Sequence, residues 1–231
     1  MAEDYGYIEK NLRELEAELA LLAKRAGKEK ITLVCVTKSG SDEELSALVR
    51  AGASDIGENR PQELKRRGEL LSKEGLSPTL HEIGNLQRKN VKLIIDKVAL
   101  IHSLDSLELA AEIDKRAAAV GRKVPVLVEI NSAKEEAKGG ISPNDARAFC
   151  ESVKQFEHLE LKGLMTMGPP LDDAELMRPY FRLTREIFDE LASDGFFSGE
   201  PVLSMGMSDS YAVAIEEGAT LVRVGRRLFK K

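Results

Sequence analysis

The chain has 231 residues, 42% of them hydrophobic and 32% charged, with a net charge of −5. That is ordinary for a globular protein with a real core, and the acidic balance with no basic stripe argues against a general nucleic-acid binder. Two cysteines far apart, Cys35 and Cys150, give no disulfide framework, and no apolar stretch has signal-peptide or membrane-spanning length, so a soluble cytoplasmic protein is expected.

In chain order, residues 5–26 predict an amphipathic helix, with Ile8, Leu12, Leu15, Leu19 and Leu22 at alternating spacings of four and three. Short apolar runs then alternate with helical stretches. The runs are 31–38 (ITLVCVTK), 54–59, 79–84, 98–104, 124–131, 159–166, 201–207 and 219–225. Helical segments between them include 42–52, 106–121 and 143–156, and Gly52 and Gly121 stand where a helix C-terminus favours glycine. Eight strands alternating with helices imply parallel pairing with right-handed crossovers, and eight is the count at which such a sheet closes. The competing open doubly wound sheet lacks a G-x-G-x-x-G after its first strand. The expected fold is α/β: a single (β/α)8 TIM barrel, one domain over residues 1–231, with an additional N-terminal helix. No linker or low-complexity segment divides it.

Barrels carry their chemistry at the C-terminal ends of the strands. Those ends are Lys38, Glu58–Asn59, His81 to Gly84, His102, Asn131, Met165–Thr166, Ser204 to Gly206 and Arg223 to Gly225. A lysine directly after an apolar strand is either a solvated terminus or an amine desolvated in the barrel mouth and able to form a Schiff base. The last two strands bear on the choice. Ser204, Gly206 and Ser208 make a turn that opens a helix near Asp209, and Gly225 with Arg226 starts a short terminal helical segment. Small residues and helix N-termini suit an anion, and barrels commonly hold phosphate after strands seven and eight. Two such loops facing Lys38 across the mouth point to a phosphorylated carbonyl ligand, either a substrate of aldolase type or pyridoxal 5′-phosphate (PLP).

Other constellations lead nowhere. His81, His102 and His158 have no metal-ligand spacing, so no metal is expected. Glu58 and Glu82 resemble a carboxylate pair, but acidic residues on neighbouring strand ends are common by chance. The serines lack a nucleophile elbow. The run KRRGE (65–69) reads as a solvated helix face.

The segments VTK (36–38), IGENRPQEL (56–64), HEIGNLQ (81–87), KGGI (138–141), GLMTM (163–167) and LSMGMSDSYAVAIEEGATLVRVG (203–225) occur in the order and spacing of a known family. The chain resembles the pyridoxal phosphate homeostasis proteins, single-barrel relatives of the alanine racemase N-terminal domain (PLP fold type III). The resemblance implies that Lys38 carries PLP as a Schiff base, and that Asn59 and His81 line the cofactor pocket. It places Met165 and Ser204 near the ring. It gives the phosphate to the backbones of Gly206, Met207, Ser208, Gly225 and Arg226, and sets Arg223 against the pyridine nitrogen. A permanent cation there disfavours a protonated ring and weakens it as an electron sink. The resemblance therefore implies a PLP carrier, with no catalytic residues, that buffers the cofactor and delivers it to apo-enzymes.

The alternative is a PLP-dependent amino-acid racemase, which needs a base on each face of the substrate. Alanine racemases take one from a partner's extra β-domain, and Tyr211 is the tyrosine nearest the mouth here. With no extra domain or long exposed apolar helix, a monomer is expected. Three departures stand out. Arg226 replaces a small residue, Asn and Lys are exchanged in Gln87–Asn90, and the chain stops at LFKK. Lys89 and Lys138 are the amines near enough the mouth to substitute for Lys38.

Overall fold

A computed structural model describes residues 5–133 and 139–231, so Lys138 and the start of the KGGI segment lie outside the described residues. Its strands are β1 (Thr32–Val36), β2 (Asp55–Glu58), β3 (Thr79–Glu82), β4 (Leu100–Leu104), β5 (Val124–Glu129), β6 (Leu159–Met165), β7 (Val202–Ser204) and β8 (Leu221–Val224). All eight pair in parallel and in sequence, and β8 returns to β1, closing the barrel. This confirms the barrel over the open sheet. Each strand falls inside the apolar run that predicted it.

The helices are α1 (Gly6–Arg25), α2 (Asp42–Arg50), α3 (Pro61–Lys73), α4 (Leu107–Ala119), α5 (Ala146–Val153), α6 (Arg178–Ser193) and α7 (Tyr211–Glu216). Local chemistry sets their starts. Ser41 caps α2 in a reciprocal box with Glu44, and the Ser106 hydroxyl accepts from Leu109 N–H at the head of α4. In α1, Ile8, Leu12, Leu15, Leu19 and Ala23 are buried, continuing the stripe seen in the sequence.

The ring of helices departs from the expected rhythm twice. A 3-10 helix, Arg88–Leu93, links β3 to β4. After β8, residues 226–229 form turns closed by Leu228 N–H to Gly225 O, so the expected terminal helical segment does not form. The N-terminal helix compensates: α1 packs between α2 and α7, the slot a helix after β8 would occupy. Asn11 ties it to the chain end, donating to the carbonyls of Leu228 and Lys230.

The core is mainly the layer between strands and helices, while Val34, Leu100, Leu127, Met165 and Leu221 form a separate cluster. Cys35 and Cys150 are both buried thiols on different elements, β1 and α5. Among the described residues no helix is long and apolar enough to cross a membrane.

Candidate cofactor site

β1 ends at Val36, so Lys38 lies in the following turn and its side chain is exposed. Of the two readings open to this amine, solvated terminus or desolvated in the barrel mouth, the structure shows an exposed side chain. The chain itself does not desolvate it, because the strand stops two residues earlier. What the fold does supply is a rigid loop. Arg67, on α3, donates to Thr37 O at 2.6 Å and Gly40 O at 2.7 Å, clasping the two carbonyls that bracket Lys38. The same guanidinium meets Glu58 Oε1 at 2.7 Å, and the Thr37 hydroxyl donates to that oxygen too.

Arg67 is therefore buried, which corrects the solvated reading of KRRGE. The sequence held the signal: Arg67 follows Leu64 by three and precedes Leu71 by four, on the apolar stripe of α3. Through its two Nη groups this buried arginine holds two carbonyls and a carboxylate, so its charge is structural. Its Nε has no hydrogen-bond partner among the described residues and faces Asp42 at 3.6 Å and Glu63 at 3.7 Å.

A cavity of about 470 Å³ opens beside this loop, lined by Lys38, Ser39, Glu58, Asn59, Arg60, Glu63 and Arg67. Its size suits a small cofactor. Of the eleven predicted site residues it gathers Lys38 and Asn59. A second cavity, about 290 Å³, lies under α1 against β1 and the start of β2, away from this end of the barrel.

The other predicted residues fall into two groups. The loops after β7 and β8 meet each other: Gly225 N–H donates to Ser208 Oγ at 3.4 Å, and Arg226 pairs with Asp209. Gly206, at φ +91°, presses so closely on α7 that a Cβ would come within 2.6 Å of Ala214. Gly225 abuts β1, where a Cβ would sit 2.8 Å from Val36 O. Because β8 and β1 are hydrogen-bonded neighbours, the Gly225–Arg226 loop flanks the Lys38 loop, correcting the expectation that it faces it across the mouth. Among the described residues the Ser208 and Arg226 N–H groups donate to no protein acceptor. Met207 is exposed, and its N–H is taken by Ser210 Oγ.

The second group lies in the barrel interior. Arg223 is buried and donates to Ser204 Oγ at 2.5 Å and Thr166 O at 3.2 Å. Among the described residues no carboxylate lies within ion-pair distance of it. Burial pushes its guanidinium down to about 10, with the charge of Glu129 opposing, so it remains a cation at neutral pH. Met165 packs in the interior cluster and pairs in register with Ser204. His81 is buried against His102 and Asp55 and does not line the Lys38 cavity.

Two carboxyls near the strand ends are strongly perturbed. Burial pushes Glu82 up to about 8, an effect that the Gly84 N–H opposes and the charge of Glu58 reinforces. Burial and the charge of Asp105 push Glu129 up to about 7 against the pull of Arg223. Glu58 and Glu82 do stand opposite one another in the β2–β3 register, but Glu58 is bound into the Arg67 clasp. The Tyr211 hydroxyl donates to Glu18 on α1 at 2.6 Å and also meets Arg227, so this side chain packs toward the N-terminal helix.

The chain matches the family model described as alanine racemase, N-terminal domain, over residues 11–231. It is 42% identical to the pyridoxal phosphate homeostasis protein of Aquifex aeolicus over 85% of each chain. The chain belongs to the pyridoxal phosphate homeostasis protein family. Another member, from Helicobacter pylori, is 37% identical over 87% of this chain and 88% of its own. Among solved structures of similar architecture is PipY of Synechococcus elongatus with PLP bound, 29% identical, with a TM-score of 0.84 over 96% of this chain and 100% of that one. Alanine racemase of Clostridium difficile shares the fold at 20% identity and a TM-score of 0.68, with 56% of its chain covered.

Proposed function

We propose that this chain binds PLP reversibly at the C-terminal end of its barrel and serves PLP homeostasis. It acts as a single-domain cytoplasmic monomer that masks the aldehyde and delivers the cofactor to apo-enzymes. The observation that carries the reading is one convergence at one end of the barrel. That end holds an exposed lysine on a clasped loop, a buried arginine with no carboxylate partner among the described residues, and two adjoining loops whose Ser208 and Arg226 N–H groups have no protein acceptor among the described residues. The family relatives named for PLP homeostasis and the PLP-bound PipY support it.

The donor set fits the group. Lys38 would hold the group covalently through Nζ, and PLP would supply the aldehyde with which a lysine amine condenses reversibly. Asn59, in the same cavity, offers an amide to the ring substituents. The Ser208 and Arg226 N–H groups, in the loops built by Gly206, Met207 and Gly225, would hold the phosphate. The side chain of Arg226, where the family usually has a small residue, is paired with Asp209, so this position would serve through its backbone. Met165 and Ser204 would lie beneath the ring, and Arg223, with N–H donors beyond those given to Ser204 and Thr166, would face the ring nitrogen and disfavour its protonation. His81 acts from beneath, as argued below. PLP supplies an electrophilic carbon and an electron-accepting ring, and Arg223 restrains the second property, which favours a carrier over an enzyme.

The test is direct. Protein mixed with PLP, reduced with borohydride and digested should yield one modified peptide, carrying Lys38. Lys38→Ala should lose both the near-ultraviolet absorbance and the adduct. An adduct that persists at Lys89 or Lys138 would place the site elsewhere.

A further inference from the structure

Four hydrogen bonds run in series through the barrel interior. Asp55 Oδ1 meets His81 Nε2 at 3.0 Å, and His81 Nδ1 meets His102 Nε2 at 3.0 Å. His102 Nδ1 meets Ser204 Oγ at 3.0 Å, and Arg223 Nη1 meets the same oxygen at 2.5 Å. The path starts on β2, passes to β3 and β4, then crosses the interior to β7 and β8, which are not neighbours of β4. The two rings meet edge to face, with centroids 5.3 Å apart, and both are buried.

The chemistry of the two ends gives the series one polarity. Arg223 can only donate, so Ser204 Oγ accepts from it and has its own proton to give. Burial alone would raise the Asp55 carboxyl, but hydrogen bonds from His81 and Ser54 outweigh it and hold the group below its usual range, so it accepts. Between a fixed donor and a fixed acceptor, each ring with one proton has one arrangement. The Ser204 hydroxyl donates to His102 Nδ1, His102 Nε2–H donates to His81 Nδ1, and His81 Nε2–H donates to Asp55. The opposite polarity at His102 would turn Nδ1–H toward a Ser204 oxygen that already accepts from Arg223. It would also require His81 to donate at both nitrogens, placing another cation in a buried core that already holds one.

We propose that Asp55, His81 and His102 are positioning residues for Arg223: an oriented relay that fixes the Ser204 hydroxyl as acceptor and so locks the guanidinium beneath the cofactor ring. The inference rests on the cofactor reading for its second half and on the chain alone for its first. It assigns a purpose to two buried histidines that neither the loops nor the Lys38 cavity uses. It also makes the ring pocket sensitive to a residue at the far end of the barrel, since Asp55 lines the cavity under α1. The relay does not conduct protons at neutral pH, because its donor end stays charged. It acts as a fixed line of dipoles.

The test begins on protein without PLP. Long-range ¹H–¹⁵N spectra of the imidazoles should show His102 and His81 each with the proton on Nε2 and a bare Nδ1. A proton on His102 Nδ1 overturns the proposal. Asp55→Asn, a conservative change at a partly exposed position, should turn the single tautomers into mixtures. It should also weaken PLP binding about tenfold, roughly one hydrogen bond to a charged group, and shift the absorbance maximum of the bound cofactor. His102→Asn, whose Oδ1 can replace Nδ1 as the acceptor for Ser204, should retain affinity, whereas His102→Phe should lose about tenfold. Wild-type tautomers and affinity in Asp55→Asn would refute the relay. Wild-type protein that takes up no PLP would instead refute the cofactor reading, and the titration of wild type alone shows it.

Discussion

Glu82 offers the sharpest test of the electrostatics at the barrel mouth. Its carboxyl is fully buried at the end of β3, with Oε1 accepting from Gly84 N–H at 3.1 Å and Oε2 without a partner among the described residues. Burial, with Glu58 opposite, raises its pKa from 4.5 to about 8. The unfolded chain releases this proton near pH 4.5 and the folded chain holds it to about pH 8. Between those values the unfolded state binds fewer protons, and stability falls as pH rises. At about 1.36 kcal/mol per pH unit, the full penalty above pH 8 is about 5 kcal/mol.

Glu82→Gln removes the titration. The amide keeps the acceptor for Gly84 N–H but places an NH₂ where Oε2 has no partner, a constant cost of about 1–3 kcal/mol. The variant should therefore be slightly less stable than wild type at pH 4.5 and more stable at pH 8, with the lines crossing between. Urea unfolding of PLP-free protein at half-unit steps from pH 4.5 to 8.5 measures this. Taking the difference between the two proteins cancels Glu129, which titrates with the same sign. A stability difference that stays flat across this range would refute the buried, uncompensated carboxyl.

Three further outcomes follow from the site. Arg67→Met should cost about 3–5 kcal/mol in unfolding free energy, because Glu58 is left as an unpaired buried charge; Arg67→Lys should not restore it, since one ammonium cannot fork to two carbonyls and a carboxylate. In fluorescence titrations pyridoxal should bind at least about a hundredfold more weakly than PLP, from losing two or three charge-assisted bonds of roughly 1.5–3 kcal/mol each; equal affinities would show that the β7 and β8 loops serve something else. With PLP bound, α-proton exchange of alanine, serine and proline into deuterated water should stay below about 1 s⁻¹, the lower end of typical turnover. Faster exchange would favour the racemase, and Tyr211, held by Glu18 and Arg227, would then have to be released to act.

Much of this was legible in the chain. Apolar runs of strand length between amphipathic helices state the barrel, because each strand must be buried on both faces and each helix on one. Lys38, Gly206 and Gly225 could be placed at strand ends by counting along the sequence, since such positions are local. Relations between distant strands could not. Period-two patterning says which side chains point inward, but barrel closure and radius decide which of them meet. Nothing in the spacing of His81, His102 and Ser204 announces a hydrogen bond that crosses from β4 to β7. Nor could the sequence show that β1 stops at Val36 and leaves Lys38 exposed, or that α1 fills the slot of the absent last helix. Arg67 was misread as solvated, and the unpaired burial of Glu82 could not be read at all, for the same physical reason. A charged residue type predicts exposure, and only three-dimensional packing reveals whether the partners, or the lack of them, make burial a clasp or a penalty.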